Sequence, residues 1–450
     1  RILFDDEIKS TIARRRPYRR WAEEGRIVVN GLFDSITSVP MREHLLCRQR
    51  RFGWTQESVD VLVKPMATTG KEPTGSMGND AALACLSEKP QLVYAYFKQL
   101  FAEVTNPPID PIREELVMSL TTYIGNPGNI LAEGSAPRSL IKLNRPVLTD
   151  ADLKHLATLN SERFSTVTLP LAWHDSLDAA LTKLAADAVA AVKAGHNIVV
   201  LSDRGLTDAD CAVPALLAVA AVNRALVDAH LRPAVGLIID SGEIFEVMHY
   251  ALLLGFGATA ICPYLALECA AALSARGDIP LDATAATENY IRAVDKGLLK
   301  TMSKMGISTL RSYRSAGIFE AVGLGPDVMS RFFPGVASRV GGLTIDDLAR
   351  ESRARRDAAV NTANEELLPL GGQYKFRKDG EDHLWTPESI SLFRQAVMMN
   401  DPARYAKYAA LINDQARHLC TLRSLFDFAP ATQAVPLSEV EPAAAIIKRF

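Results

Sequence analysis

Short runs rich in β-branched residues alternate with longer Ala- and Leu-rich runs between residues 148 and 345. The run at 197–202 is almost continuously apolar, which is typical of a parallel strand buried on both faces. Such alternation predicts βαβ units with right-handed crossovers, and therefore an α/β fold with a parallel sheet. The predicted strands are 164–169, 197–202, 234–240 and 258–261, and the predicted helices are 150–159, 176–194, 213–230 and 244–254.

Polar side chains follow these predicted strands at their carboxyl ends, where α/β sheets bind ligands. A small-molecule enzyme using this edge is one hypothesis. The alternative for Asp203-Arg204 is a structural ion pair, which adjacent opposite charges at a strand end form more often. We interpret His249 as a packed imidazole rather than a catalytic one. The residues at this edge are Asp203, Arg204, Asp240, Ser241, Glu243, Cys262 and Tyr264.

The stretch from residue 70 to 111 is dense in loop-forming residues. Pro107, Pro108 and Pro111 each remove a backbone donor, so we expect neither helix nor central strand there. Glycines allow the tight turns, and the prolines make the irregular surface rigid. Binding and catalytic residues often lie on such loops. Its polar groups are Ser76, Asn79, Thr105 and Asn106.

The bulk properties are those of a globular protein. The formal net charge of −2 offers no basic field for nucleic acid and no polybasic patch for a membrane. The apolar runs are shorter than the roughly 20 residues that span a bilayer, and no secretory signal is visible. The six cysteines form no Cys-x-x-Cys pair, which favours reduced thiols in a cytoplasmic protein without an iron–sulfur cluster or structural zinc in these residues.

The organisation along the chain suggests three parts. Residues 1–30 read as the tail of an upstream domain and residues 31–365 as a central domain. A charged connector ending at Gly371-Gly372 leads into residues 366–450, with helices predicted at 387–399 and 404–425. Both ends look cut, so we expect an internal segment of a longer polypeptide.

Two long motifs resemble the central domain of the glutamate synthase large subunit. They are residues 69–80 (Thr-Gly-Lys-Glu-Pro-Thr-Gly-Ser-Met-Gly-Asn-Asp) and residues 104–114 (Val-Thr-Asn-Pro-Pro-Ile-Asp-Pro-Ile-Arg-Glu). Shorter matches continue through 201–204, 255–258, 262–265, 300–308 and 380–383 to the last residue.

The resemblance implies a fold and a set of neighbours. Residues 31–365 would have a Rossmann-like parallel sheet or incomplete (β/α) barrel, and residues 366–450 would be the N-terminal edge of a (β/α)8 flavin barrel. Residues 1–30 would end the glutamine amidotransferase domain. The full enzyme would hold FMN and an iron–sulfur cluster, with no cofactor in this segment. A reductase small subunit or ferredoxin would deliver its electrons, and the sequence does not distinguish NADPH, NADH and ferredoxin enzymes.

The resemblance also implies a role for the loop region. Glutamate synthases make two glutamates from glutamine, 2-oxoglutarate and reductant, and ammonia passes between their two active sites. An ammonia-tunnel wall needs small polar groups and a rigid backbone that excludes water. We therefore expect Met77, Asn79, Thr105 and Asn106 to line the tunnel, and loops that only pin domain interfaces are the alternative. The isolated segment would be catalytically inert.

Several residues depart from the family pattern, which leaves some contacts to neighbouring domains in question. They are Glu103, Phe245, Met248, Ser315, Gly317 and Val336. A second hypothesis of a different class is a stand-alone scaffold or interaction protein derived from the central domain.

Overall fold

The computed structural model describes residues 2–28, 44–73, 79–100, 109–129, 140–158, 161, 163–362, 367–414, 419–426, 429 and 434–449. The chain divides into two compact units. The first comprises Arg1–Asn79 with Leu83–Glu381, and the second comprises Asp80–Ala82 with Asp382–Phe450. The three-part domain assignment at residues 30/31 and 365/366 stays a prediction.

A four-stranded parallel sheet forms the centre of the first unit, as the alternating sequence pattern predicts. Its order is β10-β9-β7-β5, with Ile198 opposite Gly236 and Ser202 opposite Asp240 in neighbouring strands. The strands are β1 (Arg26–Val28), β2 (Phe97–Gln99), β3 (Thr122–Gly125), β4 (Leu140–Leu143), β5 (Thr166–Pro170), β6 (Ala172–Trp173), β7 (Ile198–Ser202), β8 (Cys211–Ala212), β9 (Gly236–Asp240), β10 (Ala260–Cys262), β11 (Phe319–Ala321) and β12 (Ala337–Ser338). The α/β class is confirmed, whereas the incomplete barrel and the edge of a flavin barrel stay predictions.

Helices separate the strands of the parallel sheet. In the first unit they are α1 (Asp5–Arg14), α2 (Tyr18–Gly25), α3 (Leu45–Arg51), α4 (Lys64–Thr69), α5 (Pro111–Val117), α6 (Asp150–Thr158), α7 (Leu177–Lys193), α8 (Ala215–Asp228), α9 (Val247–Gly255), α10 (Tyr264–Ala275), α11 (Ala283–Lys304), α12 (Leu310–Tyr313), α13 (Pro326–Phe332) and α14 (Ile345–Asn361). A π-helix spans Ser58–Val63 immediately before α4.

Side-chain caps fix where several of these helices begin. Ser176 accepts the N–H of Ala179 at 3.2 Å and so starts α7. Thr149 and Asp152 bond each other's backbone N–H groups at the start of α6, as in a capping box. α7 then buries one stripe at helical spacing, made of Leu177, Leu181, Leu184, Ala188 and Val192.

The sequence prediction was wrong at Pro111 and at the end of the helix predicted at 404–425. Pro111 lies at the first position of α5, where a missing N–H costs nothing. The helix predicted to run to residue 425 ends at Asn413. The stretch from 70 to 111 also contains the short strand β2, which lies at the edge of a three-stranded sheet.

The helices α10 and α11 were missed by the sequence prediction. α10 is apolar on all sides and buried along most of its length, so it shows no amphipathic period. The second three-stranded sheet, β1-β4-β3, was missed as well, because its strands are only three or four residues long.

The second unit contains α15 (Pro387–Met399), α16 (Pro402–Asn413) and α17 (Ala443–Arg449). Thr386 caps α15 through a capping box with Ser389, and Asp401 caps α16. The ring of Tyr408 contacts those of Phe393 and Tyr405, with centroids 5.0 and 5.8 Å apart. This aromatic cluster holds the two helices together.

Candidate functional site

Arg204 occupies the centre of the sheet's carboxyl edge, directly after β7. Its Nε lies 2.7 Å from Asp240 at the end of β9. Its Nη1 and Nη2 donate to the carboxylate of Asp150, the first residue of α6, at 3.0 and 2.5 Å. The guanidinium also lies over the ring of Tyr264, 4.3 Å from its centroid. Three elements thus meet on one arginine.

Asp203, the residue before it, is paired with other groups. The hydroxyl of Tyr264 donates to Asp203 Oδ1 at 2.8 Å, and the N–H of Gly242 donates to both carboxylate oxygens at 3.2 Å. Burial raises the pKa of Asp203 to about 8, because a carboxylate loses its hydration there, although hydrogen bonds from Ser241 and Tyr264 lower it. Asp203 is therefore held largely as the neutral acid at neutral pH.

Glu243 and Cys262 complete this edge. Glu243 accepts the N–H of Ala215 at 2.9 Å, where α8 begins, and lies 4.0 Å from the guanidinium of Arg355. Burial raises the pKa of Glu243 and of the Cys262 thiol. The Sγ of Cys262 accepts a weak hydrogen bond from Arg204 at 3.3 Å. The chemistry of this edge is therefore charge pairing in a dry interior.

The residues singled out from the sequence are thus brought together, but their side chains are buried against one another instead of facing a ligand. Asp203, Asp240 and Tyr264 are at most 3% exposed, and Ser241, Glu243 and Cys262 are equally buried. Arg204 pairs with Asp150 and Asp240 instead of with its neighbour Asp203, so the ion-pair alternative holds with different partners. Sequence reasoning missed Asp150, whose signal was an acidic residue opening the helix that precedes β5.

The residues of this edge do not fit a flavin phosphate. A phosphate there needs free donors, and the N–H groups of Arg204 are taken by two carboxylates of its own chain. The six cysteines are free thiols scattered over the fold. In the described part of the chain, no group of three or more His, Cys, Asp and Glu could hold a metal ion.

His249 is packed, as the sequence indicates. It is buried and stacked on Tyr94 with ring centroids 4.2 Å apart, and its Nε2 lies 3.3 Å from Glu246. Phe245, one of the departures from the family pattern, packs between this imidazole and Trp54.

The predicted tunnel residues fall mostly outside the described residues. Met77, Thr105 and Asn106 lie there, as does Glu103. Asn79 is described and is exposed. Their role as tunnel wall therefore stays a prediction.

Glu57 makes a contact that sequence reasoning missed. Its carboxylate accepts the backbone N–H groups of Gly372, Gln373, Tyr374 and Lys375 at 2.5–3.1 Å. Such an array of N–H groups is an anion-binding nest. It ties the connector after α14 to the turn that opens the π-helix. The only sequence signal was Gly371-Gly372, whose φ angles of 89 and 101° are accessible to glycine.

Comparison with known proteins places these features in a family. Residues 47–325 match the model of the glutamate synthase central domain. The chain is 38% identical over its whole length to a Bacillus subtilis protein, "Glutamate synthase [NADPH] large chain", and covers 29% of it. It is 38% identical to the Schizosaccharomyces pombe "Glutamate synthase [NADH]", covering 22% of that protein, and 39% identical to an Arabidopsis thaliana ferredoxin-dependent glutamate synthase, covering 28%.

Solved structures align less well. The flavin-binding domain of baker's yeast flavocytochrome b2 covers 48% of this chain and 45% of its own at 16% identity, with a TM-score of 0.27. A TM-score this low carries no argument about shared architecture. Among the described residues, no helix is long and apolar enough to cross a membrane.

Proposed function

The chain belongs to the glutamate synthase central-domain family, and from that premise we propose that it works as a segment of a glutamate synthase large chain. It spans 22–30% of the length of the relatives it matches. The activity of the whole protein is the conversion of glutamine, 2-oxoglutarate and reductant into two molecules of glutamate. This segment joins the glutaminase site to the synthase site.

The observation that carries this proposal is the closed carboxyl edge of the sheet. In α/β proteins that edge is the usual ligand site, and here the guanidinium of Arg204 is occupied by the carboxylates of Asp150 and Asp240. An oxidoreductase with its substrate and flavin on this sheet would need those groups free. The segment therefore contributes structure and positioning, and the chemistry belongs to neighbouring domains.

The domains that flank the segment are its direct partners. Residues 1–30 end the amidotransferase domain and residues 366–450 open the FMN domain of the same chain. The iron–sulfur cluster and FMN belong to that downstream domain, and a reductase subunit or ferredoxin reduces it. The enzyme is cytoplasmic in this proposal. The nest around Glu57 supports the joining role, because four hydrogen bonds fix the connector that leads toward residue 382.

The loops at 70–80 and 101–108 form part of the ammonia tunnel in this proposal. Small or flexible side chains without an acidic proton that ammonia could take up are found at Met77, Asn79, Thr105 and Asn106. The exposure of Asn79 in this segment is compatible with a surface that another domain covers.

Thr105→Trp in the full-length enzyme tests the tunnel. A wall residue enlarged in this way blocks transfer, so glutamine hydrolysis should exceed glutamate formation from 2-oxoglutarate, while glutamate formation from added ammonium persists. Thr284→Trp, at an exposed position of α11, is the matched control and should leave the ratio unchanged. An unchanged ratio in Thr105→Trp would remove the tunnel role and leave the segment assignment standing.

The mass of the native polypeptide tests the segment assignment against a stand-alone scaffold. This sequence alone has a mass of 49.0 kDa. A native polypeptide several times heavier supports the synthase, and one near 49.0 kDa supports the scaffold.

A further inference from the structure

An apolar cavity of about 350 Å³ lies at the opposite side of the parallel sheet, beside the ends of α8 and α9. Phenylalanine rings form its walls. Phe256 lies 5.7 Å from Phe319 and 4.9 Å from Phe333 between ring centroids, and Phe332 adds a fourth ring to the lining. The volume lies in the lower part of the range for small-ligand pockets. The sequence prediction did not identify it.

The polar side chains of this cavity are hydrogen-bond donors. Asn223, Arg224 and Ser315 line it, and no Asp or Glu side chain is part of the lining. The Nε of Arg224 lies 2.9 Å from the carboxylate of Asp228 on the same helix. The guanidinium is half-exposed, and its Nη groups remain to donate to a ligand. The oxygen of Asn223 accepts from Arg232 at 2.6 Å, so its NH₂ group is the remaining polar function.

Two further arginines beside the cavity form no ion pair with a described Asp or Glu. Arg232 donates to the carbonyls of Val235 and Gly257 at 2.8 and 2.6 Å. Arg314, next to Ser315, donates to Thr122 at 3.3 Å, and its buried Nε has no hydrogen-bond partner in the described part of the chain. Burial, together with the charge of Arg314, lowers the pKa of Arg232 to about 9. The cavity is therefore lined by Arg224, and two further arginines lie close to its lining residues Asn223 and Ser315.

We propose that this cavity binds a small organic anion: a carboxylate carried on an aromatic or branched apolar body. The body packs against Phe256, Phe319 and Phe333, and the carboxylate meets Arg224 and the NH₂ group of Asn223. Charge-assisted hydrogen bonds to a guanidinium are among the strongest polar contacts that proteins make. Binding there does not depend on the activity of the whole protein.

The test is isothermal titration calorimetry of the 450-residue chain with 3-phenylpropionate. Benzyl alcohol serves as the apolar probe without charge and acetate as the charge without an apolar body. We expect 3-phenylpropionate to bind at least tenfold more tightly than either probe. Equal binding of benzyl alcohol, or no binding of 3-phenylpropionate, would overturn the proposal.

Two variants locate the site. Arg224→Gln should weaken 3-phenylpropionate at least fivefold and leave benzyl alcohol unchanged, whereas Lys183→Gln, which breaks a comparable surface ion pair on α7, should change neither. Val336→Trp fills the cavity from its partly exposed rim and should abolish binding of both. Circular dichroism confirms folding of each variant. Full affinity in Arg224→Gln or in folded Val336→Trp would show that the anion binds elsewhere.

Discussion

The two edges of the parallel sheet treat charge in opposite ways. At the carboxyl edge Arg204 is enclosed by the carboxylates of Asp150 and Asp240. On the side of the sheet from which β9 and β10 begin, Arg232 and Arg314 bond carbonyl and hydroxyl oxygens and form no ion pair within the described residues. We call the first edge complete, because its arginine is paired with carboxylates, and the second side incomplete, because its two arginines are not.

This difference indicates at which side of the sheet an anionic ligand is expected to bind. A buried ion pair whose members satisfy each other gains nothing from a further partner, and breaking it leaves a charge uncompensated. A guanidinium that bonds only neutral oxygens keeps its charge available to an anion. The arginine at the usual ligand edge is thus held by carboxylates of its own chain, and Arg232 and Arg314 on the opposite side bond neutral oxygens.

The largest effect is expected from Arg204→Met at the complete edge. Removing the cation leaves Asp150 and Asp240 buried without their partner, and the free energy of unfolding should fall by about 3–5 kcal/mol. Urea unfolding followed by circular dichroism measures the change. Adding Asp150→Asn and Asp240→Asn to the same chain should restore part of the loss. A cost below about 1 kcal/mol would show that this edge is not electrostatically coupled.

A second effect is expected from Asp203→Asn, and it depends on pH. The pKa of Asp203 is about 8 in the folded protein and about 3.9 in an unfolded chain, so unfolding releases a proton between those values. This group therefore makes the free energy of unfolding fall as pH rises through that window, by up to about 1.4 kcal/mol per pH unit, and adds nothing further above it.

Asparagine cannot titrate, so Asp203→Asn should lose that dependence. The variant should gain stability relative to the original chain between pH 5 and pH 8, measured by urea unfolding at each pH. Thr284→Asn, at an exposed position of α11, is the control and should leave the pH dependence unchanged. A constant difference across the range would mean that Asp203 is ionised in the folded protein.

The smallest effect is expected from Arg314→Met at the incomplete side. Among the residues that the structure describes, its guanidinium has no carboxylate partner and one buried N–H has no acceptor, so its removal costs little. The free energy of unfolding should change by less than about 1 kcal/mol in either direction, because an exposed or unpaired charge contributes little. A loss as large as that of Arg204→Met would abolish the contrast between the two edges.

The strands and helices around the parallel sheet could be predicted because their signals are local. A continuous apolar run marks β7, and a spaced apolar stripe behind Ser176 marks α7. The helix α10 could not be placed in the same way, because a helix buried on all sides has no period to detect. Pro111 misled the prediction since the same residue excludes a helix interior and favours a helix start.

The sequence predicted where the residues of the candidate site lie, but it did not predict which groups they bind. Strand ends in a parallel sheet meet at one edge, so the sequence could bring Asp203, Asp240 and Tyr264 together. Whether Arg204 faces a ligand or Asp150 depends on how α6 packs against the sheet, which no local pattern encodes. The four N–H groups around Glu57 come from residues more than 300 positions away, and no spacing in the sequence announces them.

The sequence by itself determined the α/β class, the parallel strands and the membership in the glutamate synthase family, because periodicity and motif spacing are properties of neighbouring residues. Only the tertiary structure decided which charges are paired, since pairing requires the approach of distant segments. Arg204 and Arg314 are each an arginine flanked by small or polar residues in the sequence. Arg204 is paired with two carboxylates, whereas Arg314 has a buried N–H with no hydrogen-bond partner among the described residues, and that difference arises only when the chain is folded.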